Sequence, residues 1–194
     1  PLLYGSSGGT SQKVGDPIAV GGSGGGVVRI QVSSTFTNNG SVTAHGATGG
    51  SGGSYARGGG GSGGSIYIAT NAYAGTGTFA ANGGDGLSGT GTVAGKGGGG
   101  RIAVYYASID DAFTSADFST AAATTGNGTA EAGSIYSKNT ATQAATVFGI
   151  FTLSDTPVSE TTFVLDSTSV VNSSSTATTP SITAENLTLA GIIS

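Results

Sequence analysis

Pairs of glycines recur immediately before short apolar strands, and this repeat limits the possible folds more than any other feature of the sequence. Gly25-Gly26, Gly63-Gly64 and Gly99-Gly100 each precede a segment in which apolar and polar residues alternate, and Ala132-Gly133 begins a weaker copy. The aligned apolar positions lie 38, 36 and 33 residues apart, at Val28, Ile66, Ile102 and Ile135. One such unit cannot bury its apolar face alone, whereas stacked copies form a continuous core.

The repeat predicts an all-β chain that folds as a parallel β-helix, or β-solenoid, with glycine-rich turns. Within each copy, a strand, a short link and a second strand come before the glycine-rich stretch. No capping signal opens a run of helical period, so we expect no significant helix. Alternation with a period of two places one side chain in two toward the core. The predicted core ladder consists of Val28, Ile30, Ile66, Ile68, Ile102, Val104 and Ile135.

Glycine is unevenly distributed along the chain, because residues 1–100 contain 33 of the 38 glycines. We therefore expect glycine-rich solenoid repeats with a period of about 36 residues in 1–140. A Ser/Thr-rich continuation of β-strands, the expected assembly end, follows in 141–194. The glycine runs predict either tight corners or extended strands packed side by side in a form like polyproline II. A flexible linker is the alternative.

The scarcity of charge excludes several classes of function. Charged residues make up 8% of the chain, and six Lys and Arg against ten Asp and Glu give a net charge of −4. Six scattered cations form no basic patch for nucleic acid, and no apolar run is long enough to span a membrane. Without cysteine there are no disulfides and no thiolate metal sites. These features favour an extracellular or cell-surface protein whose weak charge repulsion promotes self-association.

Three glycine-rich segments follow one another in an order that is similar to that of a known family. They are 60–68 (GGSGGSIYI), 75–86 (GTGTFAANGGDG) and 97–106 (GGGGRIAVYY). The series resembles the glycine-rich repeat region of large secreted bacterial surface proteins. The resemblance implies a parallel β-helix, an extracellular location and an adhesive or matrix role. The chain is short beside those proteins and corresponds to one unit of their arrays.

We expect a structural protein that assembles head to tail into a cell-surface or matrix fibre. Neither end of the sequence has a polar cap, and open solenoid ends expose strand edges that pair with other chains. The expected partner is thus a second copy of the chain, with glycans or neighbouring fibres as further partners. The alternative is an adhesin or carbohydrate-binding β-helix segment of a larger secreted protein. The predicted interface residues are Leu2, Leu3, Tyr4, Leu187, Leu189, Ile192 and Ile193.

Tyrosines follow the repeated strands at Tyr67, Tyr105 and Tyr136, and Tyr67 and Tyr136 occupy the same outward slot. A row of aromatic side chains can bind sugar rings or pack against a neighbouring fibre, or it can cover glycine-rich backbone. His45, the only histidine, aligns with Asn82 in the next copy. We therefore expect a polar turn position there and not a catalytic site.

No arrangement of residues indicates an enzyme. The G-x-S-x-G sequence of a nucleophile elbow is missing, and Asp110 and Asp111 are typical of a solvated loop. Asp85 follows a glycine pair only once, whereas calcium-binding nonapeptides occur in tandem. We expect neither metal nor cofactor. Calcium bound by Asp85, Asp110 or Asp111 is the alternative.

Overall fold

The computed structural model describes residues 2–89, 92–153, 158–165, 170–173, 182–189 and 192–193. For 149–153, 158–159, 170–173, 182–185, 189 and 192–193 it describes the backbone alone. In chain order the strands are β1 (Val27–Thr37), β2 (Ser41–Thr43), β3 (Ser51–Gly52), β4 (Ala56–Arg57), β5 (Ser65–Ala74), β6 (Thr78–Ala80), β7 (Ser88–Gly89), β8 (Thr92–Val93), β9 (Arg101–Tyr106), β10 (Ser108–Ile109), β11 (Phe118–Ser119), β12 (Ser134–Asn139), β13 (Ala144–Leu153), β14 (Val158–Leu165), β15 (Val170–Ser173), β16 (Ile182–Leu189) and β17 (Ile192–Ile193).

The repeated strands stack in register along one sheet. β1, β5, β9 and β12 are consecutive parallel neighbours, and Val28, Ile66, Ile102 and Ile135 follow one another as register partners. A second parallel sheet has the order β11-β6-β2. In the described part of the chain, one 3₁₀ turn at Ser115–Asp117 is the only helical element. The predicted all-β parallel solenoid is confirmed, with about three turns.

The apolar core lies between these two sheets. Ile68 and Val104 are fully buried on the first sheet, and Phe79 is fully buried on the second. Aromatic rings pack against one another in this core, with 5.8 Å between the ring centroids of Phe79 and Phe118 and 5.4 Å between those of Phe118 and Phe148. Burial of such large side chains stabilises the fold by roughly 1.5–3 kcal/mol each.

Extended glycine-rich segments form a third layer, here called the glycine-rich bundle. Its members are 5–11, 19–25, 44–50, 58–64, 81–87 and 94–100. In the central segment, the N–H groups of Gly58 and Gly61 donate to 44–50, at 2.8 and 2.9 Å. Those of Gly59 and Ser62 donate to 5–11, both at 2.9 Å. Because bonds to one neighbour recur every third residue, the packing follows the three-residue period of polyproline II.

Crowding explains why the bundle consists of glycine. A Cβ atom at Gly60, Gly61 or Gly63 would lie closer than 3.0 Å to backbone atoms of a neighbouring segment. Those backbone atoms are fixed by their own hydrogen bonds, so they cannot move aside cheaply. Of the two expectations for the glycine runs, the bundle corresponds to extended strands packed side by side.

The chain reverses after the last parallel rung. β13 pairs antiparallel with β12, while β14 and β16 continue the sheet parallel to β13. The expected boundary between residues 140 and 141 lies in the turn between β12 and β13. Val147 and Phe148 are adjacent yet both buried, since alternate side chains point to opposite faces and this strand is covered on both. Phe163 and Leu165 are also fully buried.

Candidate functional site

The first strand of the solenoid is an open edge. β1 pairs with β5, and no other described strand pairs with its free side. Val28 and Ile30 are half-buried, whereas their register partners Ile66 and Ile68 have only 2% and 0% of their surface exposed. The end of the core ladder therefore faces outward at β1, with apolar side chains and a row of backbone hydrogen-bonding groups.

The last strand of the same sheet is the other open edge. β16 pairs with β14 and with no other described strand. Leu187 on β16 is 49% exposed. β16 runs antiparallel to β1, because the sheet reverses direction once, between β12 and β13. A second copy placed along the sheet would bring its β1 beside β16 in antiparallel orientation.

The predicted interface residues near the start of the chain lie along the flank of the solenoid, next to β5, and not at its end. Leu2, Leu3 and Tyr4 are 37%, 56% and 80% exposed. The backbone of Leu3 exchanges two hydrogen bonds with Ser65 Oγ, at 2.7 and 3.1 Å. Ser65 is the first residue of β5, which belongs to the second coil of the solenoid. This segment therefore lies beside the second coil and not beyond β1.

For most of the predicted interface residues near the end of the chain, the structure describes the backbone alone. The backbone of Leu189 belongs to β16, and that of Ile192 and Ile193 belongs to β17, which pairs with β15. The side chains of Leu189, Ile192 and Ile193 lie outside the described residues. Their role in an interface stays a prediction.

The three predicted tyrosines form a continuous row on the outer face of the sheet. The ring centroids of Tyr67 and Tyr105 are 5.5 Å apart, and those of Tyr105 and Tyr136 are 5.8 Å apart. The Arg29 guanidinium lies 5.8 Å from the Tyr67 ring. Ala103 is the register partner of both Tyr67 and Tyr136, so Tyr105 joins the row diagonally.

One end of the row is covered by a buried carboxylate. Tyr136 Oη donates to Glu160 Oε1 at 2.8 Å, and Lys138 Nζ lies 2.8 Å from Glu160 Oε2. The Glu160 side chain is only 7% exposed. Burial, together with the Glu160 carboxylate, raises the pKa of Tyr136, and burial also raises the pKa of Tyr105. The sequence did not indicate a role for Glu160, because β14 is brought next to the tyrosine row only by the reversal of the chain between β12 and β13.

The aspartates considered as calcium ligands differ in their surroundings. Asp85 Oδ1 accepts hydrogen bonds from the backbone N–H groups of Thr124 and Thr125, at 3.1 and 2.9 Å. Asp110 and Asp111 are exposed. Among the described residues, no group of three or more His, Asp or Glu side chains is arranged to hold a metal ion. The Asp85 carboxylate instead ties one coil to the next.

Polar side chains at one turn form a second ladder between coils. His45 Nδ1 accepts a hydrogen bond of 3.0 Å from the Asn82 N–H. Asn82 Oδ1 in turn accepts from Ser119 Oγ at 2.6 Å and from the Ala121 N–H at 2.9 Å. The aligned polar residues therefore satisfy backbone donors of the following coil.

No family model, curated protein or solved structure matches the chain. Within the described residues, no helix is long and apolar enough to cross a membrane.

Proposed function

We propose that the protein is a structural unit that assembles head to tail into an extracellular fibre. The observation that carries this proposal is that β1 and β16, at the two ends of one sheet, each pair with a single strand among the described residues. Unpaired edges of this length are templates for pairing with another chain, and natural monomers usually block them with charge, proline or a covering element. β1 has eleven residues, of which Arg29 is the only charged one.

A second copy of the chain is the occupant that fits the β1 edge. Addition of β16 from one copy to β1 of the next supplies backbone partners and covers the half-buried Val28 and Ile30. The contact is heterologous and does not close on itself, so repetition produces a filament. A net charge of −4 on 194 residues offers little repulsion against such stacking.

The extracellular location and the matrix role rest on composition and on the family resemblance. The segments 60–68 and 97–106 resemble glycine-rich repeats of large secreted bacterial surface proteins. The lack of cysteine, the low charge and the absence of any catalytic motif in the sequence agree with a structural and non-enzymatic role.

The test compares two lysine substitutions on the same edge strand. Ile30→Lys places an ammonium group at the open end of the core, whereas Gln31→Lys places it on the outer face of β1. We expect fibres from the wild type and from Gln31→Lys by negative-stain electron microscopy, and monomers from Ile30→Lys. Circular dichroism checks that both variants keep their β structure. Fibres from folded Ile30→Lys would remove β1 from the interface, and a wild type that stays monomeric at all concentrations in sedimentation would contradict the assembly.

A second candidate function is carbohydrate binding by the tyrosine row. The spacing of 5.5 and 5.8 Å between successive rings favours it, because an outward aromatic surface stacks against sugar rings. Glycan-array binding that is lost in Tyr67→Ala and kept in Tyr55→Ala, a tyrosine away from the row, would support this function.

A further inference from the structure

A groove runs along the outside of the glycine-rich bundle, directly over segment 58–64. Two adjoining cavities of about 600 and about 230 Å³ make up this groove, and Ser6 and Ser62 line both of them. One wall is formed by 3–11 and the other by 92–101. The groove is therefore as long as the segment beneath it.

The groove is a vacant place in a hexagonal arrangement of extended segments. Segment 58–64 exchanges backbone hydrogen bonds with five neighbours, which are 5–11, 19–25, 44–50, 81–87 and 94–100. Each neighbour in this order is hydrogen-bonded to the next. The first and the last, 5–11 and 94–100, share no backbone hydrogen bond, and the groove separates them. A sixth extended segment would close the ring.

Two carbonyl groups on the floor of the groove have no hydrogen-bond partner among the described residues. They belong to Gly60 and Gly63, which are three residues apart and line the groove. The N–H groups of the same two glycines are satisfied by Gly95 O and Gly98 O, at 3.0 and 2.9 Å. The two free carbonyls are three residues apart, which is also the spacing at which segment 58–64 bonds to each of its five neighbours.

The first coil reveals what fits such a pair of carbonyls. Because Val28 and Ile66 are register partners, Gly22 and Gly25 occupy in the first coil the places of Gly60 and Gly63 in the second. Gly22 O accepts from the Gly8 N–H, and Gly25 O accepts from the Gly5 N–H, both at 2.8 Å. In the first coil, therefore, the chain's own segment 5–11 occupies the place that is vacant in the second coil.

We propose that the groove binds an extended glycine-rich segment of a partner protein. The segment runs antiparallel to 58–64, as 5–11 runs antiparallel to 19–25, and it donates N–H groups three residues apart to Gly63 O and Gly60 O. Glycine is required at both donor positions, because a Cβ atom on Gly5 or Gly8 in the equivalent site would lie closer than 3.0 Å to backbone atoms. The recognised sequence is thus of the form G-x-x-G.

The charge of the groove indicates which residues should stand beside the glycines of the bound segment. Arg57, Lys96 and Arg101 line the groove, and they are half of the six Lys and Arg residues of the chain. Among the described residues, no Asp or Glu lines it. A segment with carboxylates beside its glycines is therefore favoured over a basic one.

The experiment uses a synthetic peptide that copies residues 5–11, GSSGGTS, with an aspartate added at each end. The control peptide carries N-methylglycine at the two donor glycines, which removes both N–H groups and leaves the charge unchanged. Carbonyl ¹³C shifts of the labelled protein are followed by NMR, in solution for free chains and in the solid state for fibres. The result therefore does not depend on whether the chain assembles.

We expect the peptide to shift the carbonyl resonances of Gly60 and Gly63 and to leave those of Gly22 and Gly25 unchanged. Loss of two backbone hydrogen bonds should weaken the N-methylated peptide by at least about tenfold. Equal binding of the two peptides, or shifts confined to other residues, would overturn the proposal. So would glycan binding that shifts the same two carbonyls while the peptide does not.

A variant of the groove wall provides an independent check. Val93 lines the groove and is 48% exposed, so Val93→Trp obstructs the groove without disturbing the core. Val14 is fully exposed and lies outside the groove, which makes Val14→Trp the matched control. We expect at least about tenfold weaker peptide binding for Val93→Trp and unchanged binding for Val14→Trp. Unchanged binding by folded Val93→Trp would place the peptide elsewhere.

Discussion

Ile30 and Ile68 are register partners in neighbouring parallel strands, yet Ile68 is fully buried and Ile30 is only half-buried. The two side chains belong to one ladder and have the same chemistry. Their difference in burial arises because β5 lies between β1 and β9, whereas β5 is the only described strand of this sheet beside β1.

This pair predicts two different costs for one substitution. Ile68→Ala should lower the free energy of unfolding by about 2–5 kcal/mol, because it opens a cavity in a closed core. Ile30→Ala should cost roughly half as much or less, since part of the side chain is already in water. Denaturant unfolding at concentrations where the chain is monomeric measures both. Equal costs would mean that another element covers β1.

The glycine-rich bundle gives a second prediction, on crowding. A Cβ at Gly61 would lie closer than 3.0 Å to the backbone of Ser23 and Gly22, whereas a Cβ at Gly95 would meet no atom within 4 Å. Gly61→Ala should therefore destabilise the protein by at least about 1–3 kcal/mol. Gly95→Ala should be neutral or stabilise it by up to about 1 kcal/mol, through the unfolded state.

Thermal unfolding of the two alanine variants side by side tests this prediction. Both positions lie in the same bundle, so a difference between the variants reports on the space around each glycine. If Gly61→Ala unfolded at the wild-type temperature, the close packing of 58–64 would be wrong.

The register of the parallel sheet was predictable from sequence for a definite reason. Gly-Gly pairs precede three of the repeated strands and Ala132-Gly133 precedes the fourth, and the alternation after them has a period of two, so aligning these pairs aligns Ile66 with Ile102 and Ile135. The polar position shared by His45 and Asn82 followed from the same alignment. Both inferences use side chains that differ in polarity from their neighbours.

The remaining features lack such a signal. Hydrogen bonds within the glycine-rich bundle join backbone to backbone, so no side chain records which segment contacts which. The reversal at β13 was hidden because Val147 and Phe148 are both apolar and both buried, which removes the alternation. The contact between Glu160 and Tyr136 depends on that reversal.

The ladder of polar side chains gives a third prediction. Asn82 Oδ1 accepts two hydrogen bonds from the next coil, so Asn82→Ala leaves the Ala121 N–H without its partner. Because the Ala121 N–H is exposed and water can replace the lost oxygen, the free energy of unfolding should fall by about 0.5–1.5 kcal/mol. Asn82→Asp keeps an acceptor oxygen at the same place and is the matched control. Equal destabilisation by the two substitutions, measured by denaturant unfolding, would show that the hydrogen bonds accepted by Asn82 Oδ1 do not stabilise the fold.

The half-buried tyrosines of the row give the last prediction, which concerns alkaline pH. Burial raises the pKa of Tyr105, and burial with the Glu160 carboxylate raises that of Tyr136. In the unfolded chain a tyrosine hydroxyl loses its proton at about pH 10. Above that pH the folded state holds more protons than the unfolded state, so the free energy of unfolding falls as pH rises. Below it, the contribution of these groups is fully present.

Tyr105→Phe removes one of the groups responsible for this dependence. Its unfolding midpoint should therefore fall less steeply than that of the wild type between about pH 9 and about pH 11. Tyr4 is 80% exposed, and Tyr4→Phe is the control that should keep the wild-type slope. Thermal unfolding followed by circular dichroism across this range gives the three slopes. If Tyr105→Phe lost stability as steeply as the wild type, alkaline unfolding would be governed by groups other than Tyr105, since its phenol would no longer be present to titrate.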